Sequence, residues 1–186
     1  MSDVSLANHF LIAMPALLDP NFARTVTYLC EHDQHGAMGL IINRPLELSV
    51  HELLAQLEIE FTDGRFAATP VFQGGPVQTE RGFVLHQPVG SWEATLPITD
   101  DVGMTVSRDI LEAIAQGDAP ERFLVALGYA GWGAGQLEHE MVENAWLSGP
   151  ADAGVIFDEP VEQRWALSAA HLGIDLSLLS SDIGHA

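Results

Sequence analysis

The tightest constraint on this chain is the stretch from Phe123 to Leu147. An apolar run, Phe123-Leu124-Val125-Ala126-Leu127, is followed by glycines at 128, 131, 133 and 135. Five apolar residues suit a strand buried on both faces, or the start of a helix. The glycines decide for the strand, because glycine reaches positive φ without steric cost and lets the backbone bend sharply. Beyond them Leu137, Met141 and Ala145 recur at every fourth residue with Val142 beside them, and Glu138, Glu140, Glu143 and Asn144 lie off that stripe. The spacing predicts a helix. The whole stretch therefore reads as strand, tight glycine turn and helix, with Trp132 and Trp146 packing at its two ends.

The remainder of the chain supplies a sheet for that unit to join. His9 to Met14, Arg24 to Glu31, Ala37 to Asn43, Val71-Phe72-Gln73 and Phe83 to His86 are strand candidates. The second and third form a hairpin through His32-Asp33-Gln34-His35-Gly36. Ser49 with Glu52 makes a capping box ahead of a helix from Val50 to about Glu58, with Val50, Leu53, Leu54 and Leu57 inward. Ser107 opens a second helix that buries Ile110, Leu111 and Ile114 and stops at Gly117. Thr62 to Thr69 reads as a loop, Pro88 to Gly103 as a strand with long turns, and Val155-Ile156-Phe157 as a short strand. A further helix follows Pro160, with Val161, Trp165, Ala169 and Leu172 inward, and the tail through Leu176, Leu179 and His185 is apolar enough to dock. Hairpins mixed with helices predict an α+β fold, one domain over residues 1–186, with a mixed sheet.

Charge narrows the partners. Seven basic residues stand against 26 acidic ones, a formal net charge of −19, and none of the seven is lysine. Nonspecific nucleic-acid affinity requires cations that neutralise phosphates, so no direct nucleic-acid binding is expected, and an anionic membrane is disfavoured for the same reason. No apolar run approaches the ~20 residues of a spanning helix. Met1 to Asn8 lacks a basic n-region, so a cytoplasmic address is expected. The one cysteine, Cys30, reads as a small buried apolar residue and not as a nucleophile, since no basic neighbour is evident to lower its pKa.

Catalytic and cofactor signatures fail one by one. The glycine cluster gives neither G-x-G-x-x-G nor a P-loop, and no G-x-S-x-G elbow occurs. Cys30, His32 and His35 are chemically credible zinc ligands, yet His35 lies beyond the turn and no fourth ligand is identifiable, so no metal and no cofactor are expected. His139-Glu140 and His51-Glu52 do not continue as H-E-x-x-H. Arg44, Arg81 and Arg108 stand beside turns or helix starts, where an internal ion pair is the expected role and a ligand carboxylate the alternative. The residues kept as candidate ligand contacts are Arg44, Gly74, Gly75, Arg81, Trp132 and Gln136.

Dispersed motifs place these features in a family. They include His9-Phe10-Leu11-Ile12-Ala13-Met14-Pro15, Gly36-Ala37-Met38-Gly39-Leu40-Ile41-Ile42-Asn43-Arg44-Pro45 and Gly74-Gly75-Pro76-Val77-Gln78. Arg81-Gly82-Phe83-Val84-Leu85-His86, Leu127-Gly128-Tyr129-Ala130-Gly131-Trp132 and Gly135-Gln136-Leu137-Glu138 extend the set. Through them the chain resembles the AlgH/YqgE family of small bacterial proteins, some of which are labelled regulators of transcription or of alginate synthesis. The resemblance implies one α+β domain with a curved, barrel-like sheet surrounded by helices, and it carries over no reaction, cofactor or catalytic residue. Two classes of function follow. One is a non-enzymatic regulatory or interaction protein acting through a protein partner. The other is a small-molecule-binding protein or enzyme with a pocket near Gly74-Gly75-Pro76 and Gly131-Trp132.

Overall fold

Described over residues 5–180, the computed structural model contains ten strands and six α-helices. The strands are β1 (His9–Ala13), β2 (Val26–Asp33), β3 (Gly36–Ile41), β4 (Pro45–Ser49), β5 (Pro70–Gln73), β6 (Val77–Gln87), β7 (Thr95–Pro97), β8 (Gly103–Thr105), β9 (Arg122–Gly133) and β10 (Trp146–Pro150). The helices are α1 (Val50–Gln56), α2 (Arg108–Ala115), α3 (Gln136–Val142), α4 (Ala153–Phe157), α5 (Arg164–Ala170) and α6 (Leu176–Ser180). Eight strands run in the order β10-β1-β2-β3-β9-β6-β8-β7, and β4 and β5 join beside β9. β5 is parallel to β9 and the other pairs are antiparallel, so the sheet is mixed and curls into a half-barrel.

Burial follows the curl. One continuous cluster lines the inner face, from Phe10, Ile12, Tyr28 and Leu40 to Phe83, Leu85, Leu124 and Ala126, with Val155, Ile156, Ala169 and Leu176 of α4, α5 and α6 packed against it. The outer face carries two clusters: Val84 and Val125 under α1 and α2, and Leu11, Leu29 and Ala130 under α3. Period-two alternation sends successive residues of a strand to opposite faces, so each strand feeds both sides. Arg164 is buried at the join between α5 and the sheet. Its Nη1 donates to the Ile42 carbonyl at 2.6 Å, its Nε donates to that of Glu159 at 3.0 Å, and the guanidinium lies over the Phe72 ring.

The central stretch departs from the sequence reading. β9 does not stop at Leu127 but runs on to Gly133. Gly128, at φ +77°, acts as a bulge: Leu127 packs on the outer cluster and Tyr129 on the inner one, although unbroken alternation would put both on one face. The pairing with β6 shifts at the same place, between Val77↔Tyr129 and Gly82↔Leu127. Only Gly135, at φ +74°, serves the turn into α3. Trp146 begins β10 instead of ending the helix, and Val155 to Phe157 lie in α4, which Asp152 caps by accepting the Gly154 N–H at 2.7 Å. The capping box of Ser49 and Glu52 is present as expected, whereas the Ser107 hydroxyl caps no N–H of α2: it accepts the Ala94 N–H at 3.0 Å and donates to Asp109 Oδ1 at 2.6 Å. α6 docks through Leu176; His185 lies outside the described residues.

Candidate functional site

The helices on the inner face leave part of it open. There a groove of about 920 Å³ is floored by Met38, Phe83, Leu96, Met104 and Tyr129 and rimmed by Glu31, Asp33, His35, Arg81 and Glu93. Its floor follows from register. Met38 of β3 faces Gly131 of β9, and because Gly131 has no side chain the Tyr129 ring can lean over the strand; a Cβ at Gly131 would come within 3.2 Å of that ring. The Tyr129 ring meets Phe83 edge-on at 5.7 Å between centroids. Arg81 covers the other side of the floor, its guanidinium 5.4 Å from the Phe83 centroid and donating to Gln78 Oε1 at 3.3 Å.

One wall is stiffened by a buried hydrogen-bond chain. His86 is fully buried, and its Nδ1 lies 2.9 Å from the Pro88 carbonyl, so that nitrogen is the donor. Nε2 is left to accept from the Thr105 hydroxyl at 2.6 Å, and Thr105 is 2.7 Å from the hydroxyl of Thr95 at the groove wall. Burial holds the imidazole pKa below its ordinary value, against the opposing effect of the Pro88 carbonyl. The ring is therefore neutral near pH 7.

Of the sequence candidates, Arg81 and Trp132 line this groove and the others lie elsewhere. Arg44 clips a loop: Nη1 donates to the Pro20 and Asn21 carbonyls at 2.8 and 2.7 Å and Nη2 to that of Ala23 at 2.9 Å, carbonyls taking the place of the expected carboxylate. Gly74 and Gly75 are buried where the chain crosses β9; a Cβ on Gly74 would strike the Gly128 carbonyl oxygen and one on Gly75 the Tyr129 carbonyl carbon. Gln136 closes the start of α3, its Oε1 accepting the Gly133 N–H at 2.9 Å and its Nε2 donating to Glu140 at 3.0 Å. Glu140 itself, which the helical stripe placed among exposed residues, accepts both indole N–H groups on Oε1, from Trp132 at 3.0 Å and from Trp146 at 2.9 Å. Glu31, Asp33, Glu93 and Met104 are groove residues that sequence reasoning missed. No local pattern marks them, because only the pairing of β2, β3, β9, β6 and β8 with β7 brings them together.

The zinc candidates are separately occupied. The Cys30 thiol is buried, and burial pushes its pKa up. His32 accepts the Leu6 N–H on Nδ1 at 2.9 Å and therefore donates from Nε2 to Glu138 at 3.1 Å. Among the described residues no three His, Cys, Asp or Glu side chains converge as a metal site, and no helix is long and apolar enough to cross a membrane.

Comparison with known proteins gives the same frame. A family model described as AlgH-like matches residues 10–177. Proteins named UPF0301 are similar along nearly their whole length. That of Nitrosococcus oceani is 60% identical over 179 residues, covering 96% of both chains, and that of Thioalkalivibrio sulfidiphilus is 56% identical over 182 residues, covering 98% of this chain and 97% of the other. The solution structure of the AlgH protein from Pseudomonas aeruginosa superposes with a TM-score of 0.81 at 52% identity, covering 100% of this chain and 98% of that one. A protein of Corynebacterium diphtheriae, 16% identical and covering 97% of this chain and 94% of that one, shares the fold with a TM-score of 0.76.

Proposed function

The chain belongs to the AlgH-like family, and from that premise we propose that it is a non-enzymatic binding protein whose inner-face groove receives its partner. The observation that carries this reading is the groove itself: an apolar floor of Met38, Phe83, Met104 and Tyr129 inside a charged rim. Apolar area supplies affinity and a few convergent polar groups supply orientation, which is the composition of a recognition site. The polar groups of the rim are carboxylates, one guanidinium and one imidazole. Any regulatory effect runs through this contact and not through DNA, since the net charge of −19 opposes phosphate. The volume of about 920 Å³ also lies within the ~300–1,000 Å³ of small-molecule pockets, which supports a small-molecule ligand as the second reading.

A thermal-shift screen of small acids, amines, nucleotides and short peptides tests the site. A ligand that raises the melting temperature of the wild type by several degrees is expected to leave Gly131→Leu unmoved, because the new side chain would enter the groove beside Tyr129. Ligands that stabilise both proteins equally would show that binding happens elsewhere.

A further inference from the structure

Resting on the groove as the binding site, we propose that its occupant is an extended, basic segment of a protein partner, carrying Arg or Lys beside a large apolar residue and pairing with the free edge of β7. Charge gives the first argument. Three rim carboxylates, Glu31, Asp33 and Glu93, face one guanidinium, Arg81. Arg81 already stacks on Phe83 and donates to Gln78, and Asp33 accepts the His35 N–H at 2.7 Å; Glu93 is held through its backbone, its N–H donating to Asp109 at 2.8 Å, and among the described residues no side chain pairs with the carboxylate of Glu31 or of Glu93. An apolar floor with unpaired carboxylates at its rim complements a segment that is apolar on one side and cationic on the other.

Topology gives the second argument. β7 ends the strand order, so among the described residues one of its edges is unpaired. Thr95 and Leu96 of β7 both line the groove, beside Glu93 and Ala94 of the turn before it; since successive strand side chains alternate between faces, the strand's edge borders the groove. The inward bonds are made by Val106 N–H to the Ala94 carbonyl at 3.0 Å and by Ile98 N–H to the Val102 carbonyl at 2.9 Å. Antiparallel alternation therefore turns the N–H and C=O of Thr95 outward, with Pro97 limiting the edge to that one donor. An extended backbone can use these groups, and a compact amine cannot.

Fluorescence anisotropy with labelled ten-residue probes tests this directly. The probes are an alternating Arg-Leu peptide, its Glu-Leu counterpart, an Arg-Ser peptide, the Arg-Leu peptide with N-methylated alternate amides, and spermine as an unlabelled competitor. The Arg-Leu peptide is expected to bind wild type, to weaken roughly tenfold when Glu31→Gln and Glu93→Gln are combined, and to be lost on Gly131→Leu or on N-methylation. Failure of the Arg-Leu peptide to bind overturns the proposal. So does equal binding by the Glu-Leu, Arg-Ser or N-methylated peptide, or displacement by spermine at matched charge. If those reversed preferences still disappear on Gly131→Leu, the groove stands as the site and only its basic, extended occupant falls; if Gly131→Leu changes nothing, the groove reading falls with it.

Discussion

Single residues carry two of the least obvious commitments of this fold. Glu140 accepts from two buried indoles whose rings cross at 78° with 6.0 Å between centroids, so one carboxylate oxygen joins β9, α3 and β10. Glu140→Leu keeps bulk but orphans both indole donors. It is expected to cost about 1–3 kcal/mol per donor, read as a fall in the urea midpoint. Trp146→Ala removes the ring as well and is expected to cost about 3–5 kcal/mol by the same measurement. His86 makes stability depend on pH. Its folded pKa is depressed by burial, so the unfolded chain takes up the proton first, at about pH 6.5. The contribution is complete above that value and is lost as pH falls toward and below the folded pKa. Acidification from pH 7.5 to 5.5 should thus destabilise wild type relative to His86→Gln, and parallel profiles for the two proteins would show that the imidazole is not held neutral.

At the scale of elements, β9 shows what the sequence discloses and what it withholds. β1, β2, β3, α1 and α2 were legible because periodicity and capping are local, the box of Ser49 and Glu52 above all. The glycines after Leu127 were legible as a break in regularity but not as a bulge, since a bulge is defined by the partner strand, and the excursion of β6 between Val77 and Gly82 lies some fifty residues earlier. Val155-Ile156-Phe157 fits a strand or a helix by length alone, and the Asp152 cap decides for the helix. β4 escaped notice because Pro45-Leu46-Glu47-Leu48-Ser49 is short and half exposed. The glycines also differ in what they do. Gly128 combines positive φ with a Cβ position that overlaps the Gly75 carbonyl oxygen, while at Gly133 the nearest atom is 3.9 Å away and φ is not positive. Gly128→Ala is expected to destabilise by at least about 1–2 kcal/mol and Gly133→Ala to change the melting temperature little, a contrast that differential scanning calorimetry reads in one series.

For the molecule as a whole, a half-barrel filled by α4, α5 and α6 along part of its inner face leaves the remainder as a groove, and the acidic surface selects what approaches it. With seven arginines, no lysine and a net charge of −19, the purified protein is expected to give no submicromolar complex with duplex DNA in a low-salt gel shift. The candidate site was only partly legible beforehand: Arg81 and Trp132 border it, but Gly74 and Gly75 are required by backbone crossing and Arg44 by its loop. The central claim, that the inner-face groove is where the partner binds, is tested most directly by methyl-detected NMR on protein labelled at its methionines. Met38 and Met104 line the groove, while Met14 follows β1 and Met141 lies in α3, packed on the outer face. Titration with the alternating Arg-Leu peptide is expected to shift the Met38 and Met104 methyls along a saturating curve and to leave Met14 and Met141 in place. Saturable shifts confined to Met14 or Met141, with Met38 and Met104 unmoved, would contradict it.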